Sequence, residues 1–135
     1  PGPGPSPTDC LTAQFTTHQL SSVAVVTVAG EVDAANAQAF IDYVTEQAAH
    51  VDSLVLDLTG VDFFATAGFS ALHTISVQCA GAAVGWALVP SRAVDRVLEV
   101  CDPDSTLVRR GTVEDAAARL KDEPRPLLQL VAESG

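Results

Sequence analysis

Thr66, Ser70 and His73 fall at helical spacing on one uncharged stretch, with Asp57 and Thr59 a few residues upstream. A hydroxyl beside an imidazole invites a nucleophile reading, but the surrounding chain does not support it. Gly68-Phe69-Ser70-Ala71-Leu72 lacks the second glycine of a nucleophile elbow, and Ser70 sits inside a helical pattern rather than on a strained turn. His73 reads as a partly buried polar residue of that helix. No His/Cys spacing suits zinc, since His73 and Cys79 supply half a ligand set at most. No glycine-rich phosphate loop is present. The pattern points to a binding protein rather than an enzyme, with neither metal nor cofactor.

Asp57 lies within the apolar run Leu54–Leu58, where a carboxylate needs a strand end or a donor. A two-component receiver domain also places an aspartate on such a strand. It requires an acidic pair after its first strand and a lysine after its fifth, and the chain has neither: its only lysine is Lys121. The three cysteines, Cys10, Cys79 and Cys101, are too few and scattered for a disulfide framework. Cys79 and Cys101 end successive helices, so both are expected near one edge of a sheet, where oxidation would be able to join them. The plainer alternative is two inert buried thiols.

Composition narrows the function further. The chain has 135 residues, 47% apolar and 18% charged, with a formal net charge of −10. That suits one domain with a core of its own. All seven basic residues (Arg92, Arg96, Arg109, Arg110, Arg119, Lys121 and Arg125) lie beyond position 91, and residues 1–91 carry eight carboxylates. Nucleic acid and anionic membrane surfaces would be repelled, whereas a partner with a basic face is favoured. Residues 63–91 carry no formal charge, but Thr66, Ser70, His73, Thr74, Ser76 and Gln78 interrupt the run, so it reads as a buried helix and strand rather than a membrane span. No secretory leader is legible, and without Met the first residue is not a translation start. A cytoplasmic location is expected.

These residues must be positioned by alternating elements. Residues 1–9 form a Pro/Gly-rich lead with no means of packing. Alternation over Leu11–Thr16 predicts a first strand, His18–Ser22 a turn, and Val23–Ala29 a second strand ended by Gly30. Ala37, Phe40, Ile41, Val44 and Ala48 form one stripe of a helix over 34–49, for which Asp33 is the expected N-cap. Leu54–Leu58 predicts a strand covered on both faces, followed by a loop. A helix over Thr66–Ala80 is expected to turn Phe69, Leu72, Ser76 and Cys79 inward, and Val84–Val89 to form a fourth strand. Ser91 caps a third helix burying Val94, Val97, Leu98 and Cys101. Thr106–Arg109 predicts a fifth strand, and Thr112 with Asp115 a capping box for a last helix through Lys121. Residues 122–135 are a tail whose leucines could dock on the body. The order β-β-α-β-α-β-α-β-α implies a mixed, mostly parallel sheet of about five strands, an α/β domain over 10–121.

The segment Asp57-Leu-Thr59-Gly-Val-Asp-Phe63-Phe64-Ala65-Thr66-Ala67-Gly68 resembles the signature of the STAS domain family. That signature runs Asp, any residue, Ser/Thr, an apolar–aromatic pair, then Asp-Ser-Ser/Thr-Gly at a helix start. Gly30-Glu31-Val32-Asp33 resembles the family's other hallmark, Gly-Glu-Leu-Asp. Ala65 departs from the aspartate of the signature, and Ala67 from its second hydroxyl.

The resemblance implies a bacterial anti-sigma factor antagonist, which binds an anti-sigma factor of kinase-type ATP-binding fold and frees a sigma factor. Carried over, Thr66 takes the place of the phosphorylated hydroxyl. Its alternative is a plain helix cap. Gly30, Glu31, Asp33, Phe64, Ala65, Thr66, Ala67, Gly68 and Phe69 form the partner surface, supported by Asp57 and Thr59. Two further roles known for small STAS proteins stay open: an accessory subunit of a lipid-transporting ABC system, and a scaffold component of a stress-sensing assembly.

Overall fold

Apolar residues at every position of Val23–Val26 and Leu54–Leu56 can be satisfied only if both faces of a sheet are covered, and they are. The computed structural model describes residues 12–20 and 22–122. Its strands are β1 (Ala13–Leu20), β2 (Val23–Val32), β3 (Ser53–Phe64) and β4 (Gly85–Val89), in spatial order β1-β2-β3-β4. β1 pairs antiparallel with β2, whereas β2, β3 and β4 run parallel. Helices α1 (Ala37–Ala48), α2 (Thr66–Gly81) and α3 (Arg92–Cys101) share the larger core with Val26, Val28, Leu54, Leu56, Leu58 and Leu88. On the opposite face α4 (Val113–Asp122) lays Ala116, Ala117 and Leu120 against Val23, Val25, Val55, Ala87 and Val89. The expected single α/β domain is therefore observed. The lead 1–9, the strand residue Leu11, Cys10 and the leucines of the tail lie outside the described residues.

Several expectations require correction. β1 continues through Leu20, which pairs with Val23 and packs on the smaller core, so the turn expected at His18–Ser22 is much shorter. α2 buries Gly68, Ala71, Leu72, Ile75 and Cys79, whereas Phe69 and Ser76 sit at its flank and His73 is exposed. With no charge anywhere on that helix, its polarity marks the inner face only weakly. The caps at Ser91 and Thr112 are present, each hydroxyl accepting an amide three residues on, at 3.2 and 3.0 Å. The Asp115 carboxylate bonds to Arg119 instead of closing a reciprocal box. No helix among the described residues is long and apolar enough to cross a membrane.

The fifth strand is reduced to one parallel bridge, Leu88 to Arg109. Asp102 is the reason. Its Oδ1 accepts the Thr106 amide at 2.9 Å and hydroxyl at 2.6 Å, and its Oδ2 accepts the Leu107 amide at 3.0 Å. Those amides are unavailable to a ladder. Asp102 is 4% exposed, and burial alone would raise its carboxyl. The bonds from Thr106 and Leu107, with the charge of Arg109, outweigh burial and hold it below the ordinary 3.8. A depressed folded value means stability that is complete above 3.8 and is lost as pH falls through the lower folded value. Asp102→Asn is expected to cost about 1–3 kcal/mol at pH 7, from donors left poorly paired. In urea titrations from pH 7 to pH 2.5, wild type should lose more stability than the variant.

Candidate functional site

The two motif segments meet at the carboxyl edge of the sheet. β2 and β3 both run further than their apolar stretches: Glu31 pairs with Phe63 and Val32 with Phe64, after register shifts at Thr27/Ala29 and Gly30/Glu31. The loop expected after Leu58 is therefore strand, and Gly30 lies within β2 rather than ending it. Gly30 holds φ +100 opposite Ala13, and the Glu31 amide continues that register by donating to the Thr12 carbonyl at 2.9 Å. The Ala65 amide donates to the Val32 carbonyl at 2.9 Å, which closes the Gly30–Asp33 segment onto the start of α2.

Asp33 is not the N-cap of α1. Its Oδ1 accepts the Ala35 amide at 2.9 Å in a local turn, and the helix begins later, at Ala37. Asn36 occupies the cap position, 1% exposed, with its side chain turned to the site. Its Nδ2 donates to the Glu31 carbonyl at 2.8 Å and to Thr12 Oγ1 at 3.3 Å, and its Oδ1 accepts the Asp33 amide at 3.0 Å. Sequence reasoning missed this residue. The available signal was an asparagine immediately before the stripe that starts at Ala37.

At the start of α2, Ala65 has the extended φ −85 and ψ 169 of an N-cap but no side chain able to fill that role. Thr66 is the first helical residue. It is exposed and does not cap the helix, and its hydroxyl has no hydrogen-bond partner among the described residues. The plain-cap alternative for Thr66 is therefore overturned. Phe64 is 4% exposed, so it supports the surface from beneath rather than forming part of it. A Cβ on Gly68 would lie 2.6 Å from the Phe64 ring, which explains the glycine: the helix rests on that ring. Phe63 is 51% exposed and takes the outward position; Ala67 and Phe69 are half-buried, and Glu31 is exposed. Ala65→Asp would supply the missing cap in the right backbone geometry and is expected to stabilise the chain by about 1 kcal/mol, as read by urea unfolding.

Asp57 and Thr59 are brought together, but with each other. Asp57 Oδ1 accepts the Thr59 hydroxyl at 2.7 Å and amide at 3.1 Å. Strand alternation puts both on the face of Val55, opposite the one on which α2 packs. They brace β3 locally and do not touch the Phe64–Thr66 turn through their side chains.

Cys79 and Cys101 are both free. Cys79 is sealed in the core, and burial pushes its thiol up to about 11. Cys101 lines a groove beside Phe69, Ser70, His73 and Thr74, in the first half of α2. Thr74 and Cys79 are five residues apart, about 7 Å along a helix. The α2 residues of that groove thus lie more than one turn before Cys79. Among the described residues, no three His, Cys, Asp or Glu side chains assemble as a metal site.

The site is thus an exposed, hydroxyl-bearing helix start beside Glu31, Asp33 and Asp62, with no basic residue in either motif segment. It is suited to contact and to carrying a modification.

A family model described as the STAS domain matches residues 14–116. Osmosensory protein A of Mycobacterium tuberculosis is 37% identical over 92 residues, 68% of this chain, and the chain spans only 58% of that protein's length. Anti-sigma-F factor antagonist RsfA of Mycobacterium tuberculosis is 31% identical over 105 residues, 75% of this chain and 82% of that one. An anti-sigma factor antagonist from Mycobacterium paratuberculosis superposes with a TM-score of 0.73 at 23% identity, covering 87% of this chain and 99% of its own.

Proposed function

The chain belongs to the STAS domain family, and from that premise we propose that it is an anti-sigma factor antagonist acting by stoichiometric binding in the cytoplasm. The observation that carries this reading is the exposed Thr66 hydroxyl at the start of α2, without a hydrogen-bond partner among the described residues and held beside Glu31 and Asp33 by the Val32–Ala65 hydrogen bond. The likeness to RsfA, named as an antagonist, supports it over three quarters of the chain. The partner is an anti-sigma factor of kinase-type ATP-binding fold. The contact surface joins Gly30–Asp33, Phe63, Ala65–Gly68 and the outer side of α2, with Phe69 at its flank. Its acidic character steers it to a basic patch. The partner phosphorylates Thr66, and about −1.5 to −2 added charges then break the complex.

Affinity capture from a lysate of the source bacterium, followed by reconstitution, tests this. The expected result is recovery of an anti-sigma factor whose purified form releases its sigma factor when this chain is added. A captured anti-sigma factor that keeps its sigma factor, or capture of a transporter ATPase in its place, would overturn the reading.

A further inference from the structure

Beside the Thr66 surface lies a feature that the proposed switch leaves unused. The open groove between α2 and the end of α3 has a volume of about 530 Å³. Phe69, Cys101 and Pro103 give it apolar walls. Most of its polar groups can accept: the exposed Asp104 carboxylate and the hydroxyl oxygens of Ser70, Thr74 and Thr106, with the exposed His73 imidazole beside them. The protons of two of those hydroxyls are already used, Thr74 donating to the Ser70 carbonyl at 3.1 Å and Thr106 to Asp102 at 2.6 Å, so their lone pairs are what face a ligand. Among the described residues, neither lysine nor arginine lines the groove. Arg109, whose charge acts on buried Asp102, has its guanidinium engaged by Asp95 at 3.0 Å and Ser105 at 3.4 Å.

An acceptor-rich groove with an aromatic wall and no cation of its own fits a side chain with a long apolar stem, several donors and a positive charge. We propose that this groove receives an arginine side chain of the protein partner, its guanidinium on Asp104 and the hydroxyls and its stem along Phe69 and Pro103. Arginine suits it better than lysine because the planar guanidinium stacks on a ring and offers five donors. The position fits a shared interface. Thr66, Ser70, His73 and Val77 are all exposed at i, i+4, i+7 and i+11 of α2, and Ser70 and His73 also line the groove. Ser70 is about 6 Å along the helix from Thr66. A partner covering Thr66 therefore reaches the groove without leaving that stripe. On the reading above, the bearer of the arginine is the anti-sigma factor, and the groove is a second contact that does not depend on phosphorylation.

The test begins without a partner. N-acetyl-arginine methylamide and its neutral isostere N-acetyl-citrulline methylamide are titrated into the 15N-labelled chain. The expected result is amide shifts at Ser70, Thr74, Asp104 and Thr106, with arginine binding at least threefold more tightly than citrulline. Asp104→Lys, an exposed substitution, should abolish that preference while the rest of the spectrum is unchanged. Equal response to the two amides, or a preference that survives Asp104→Lys, would overturn the proposal. A captured anti-sigma factor supplies the second arm: Asp104→Lys should weaken its binding about tenfold, and unchanged affinity would remove the groove from the interface. Because the titration uses no partner, failure of the groove and failure of the antagonist reading are separately visible.

Discussion

Thr66→Glu is expected to bind the anti-sigma factor at least a hundredfold more weakly than the unmodified chain, and Thr66→Ala to stay within about threefold of it. The argument turns on where the new charge does harm. Within the chain a carboxylate at this position is welcome: Thr66 opens a helix whose first turn contains no acidic residue, and the N-cap Ala65 neutralises none of its amides. A helix N-terminus favours a nearby anion by about 0.3–1 kcal/mol. The variant should therefore melt at or above the wild-type temperature, so weaker binding will not reflect unfolding.

The cost arises in the complex. Thr66 is exposed beside Glu31 and Asp33, so on the proposed reading a partner fitted to this surface must already balance their carboxylates. One more charge, desolvated and unpaired, costs several kcal/mol, and about 2.7 kcal/mol already makes a hundredfold. Thr66→Ala removes a hydroxyl with no partner among the described residues and leaves the surface charge unchanged. Calorimetric titration of both variants against the captured anti-sigma factor, with thermal melts in parallel, reads both halves. Equal affinities would remove charge at Thr66 from the mechanism.

The features legible in the sequence were those dictated by local pattern. Alternation and helical stripes located the strands, α1 and α3, and the two motifs marked the edge where the site lies. Features that depend on pairing were not legible. The chain after Leu58 reads as a loop, yet β3 passes through Thr59-Gly60 by taking an extra residue at each register shift and stays bonded to β2 as far as Val32 and Phe64. Thr106–Arg109 reads as a strand, but the Asp102 carboxylate takes two of its amides. Phe64 and Phe63 look alike in the sequence. Only the close approach of α2 at Gly68 decides that Phe64 is buried and Phe63 exposed. Asp33 looked like the cap of α1 because it precedes the stripe, whereas Asn36, three residues on, serves the turn at Glu31 with its side chain and α1 with its carbonyl.

Gly30→Ala tests whether that bulged edge is a requirement of the fold. Gly30 sits at φ +100, where an L-residue pays about 1–2 kcal/mol. A Cβ built there would also collide with the backbone carbonyl oxygen of Thr12, and backbone cannot turn aside as a side chain can. Forcing the strands apart adds about 1–3 kcal/mol on the scale of overpacking. It would also strain the Glu31–Thr12 hydrogen bond and the Asn36 side-chain bonds that depend on the same approach. The expected loss is about 3 kcal/mol or more, a large share of the stability of a domain of this size. Gly81→Ala is the control: it ends α2, its Cβ would meet nothing within 4 Å, and it should be neutral or stabilising by less than about 1 kcal/mol. Urea unfolding of the two variants beside wild type makes the comparison. If Gly30→Ala cost no more than Gly81→Ala, β1 would be free to move away from the bulge. The glycine would then serve the contact surface and not the fold.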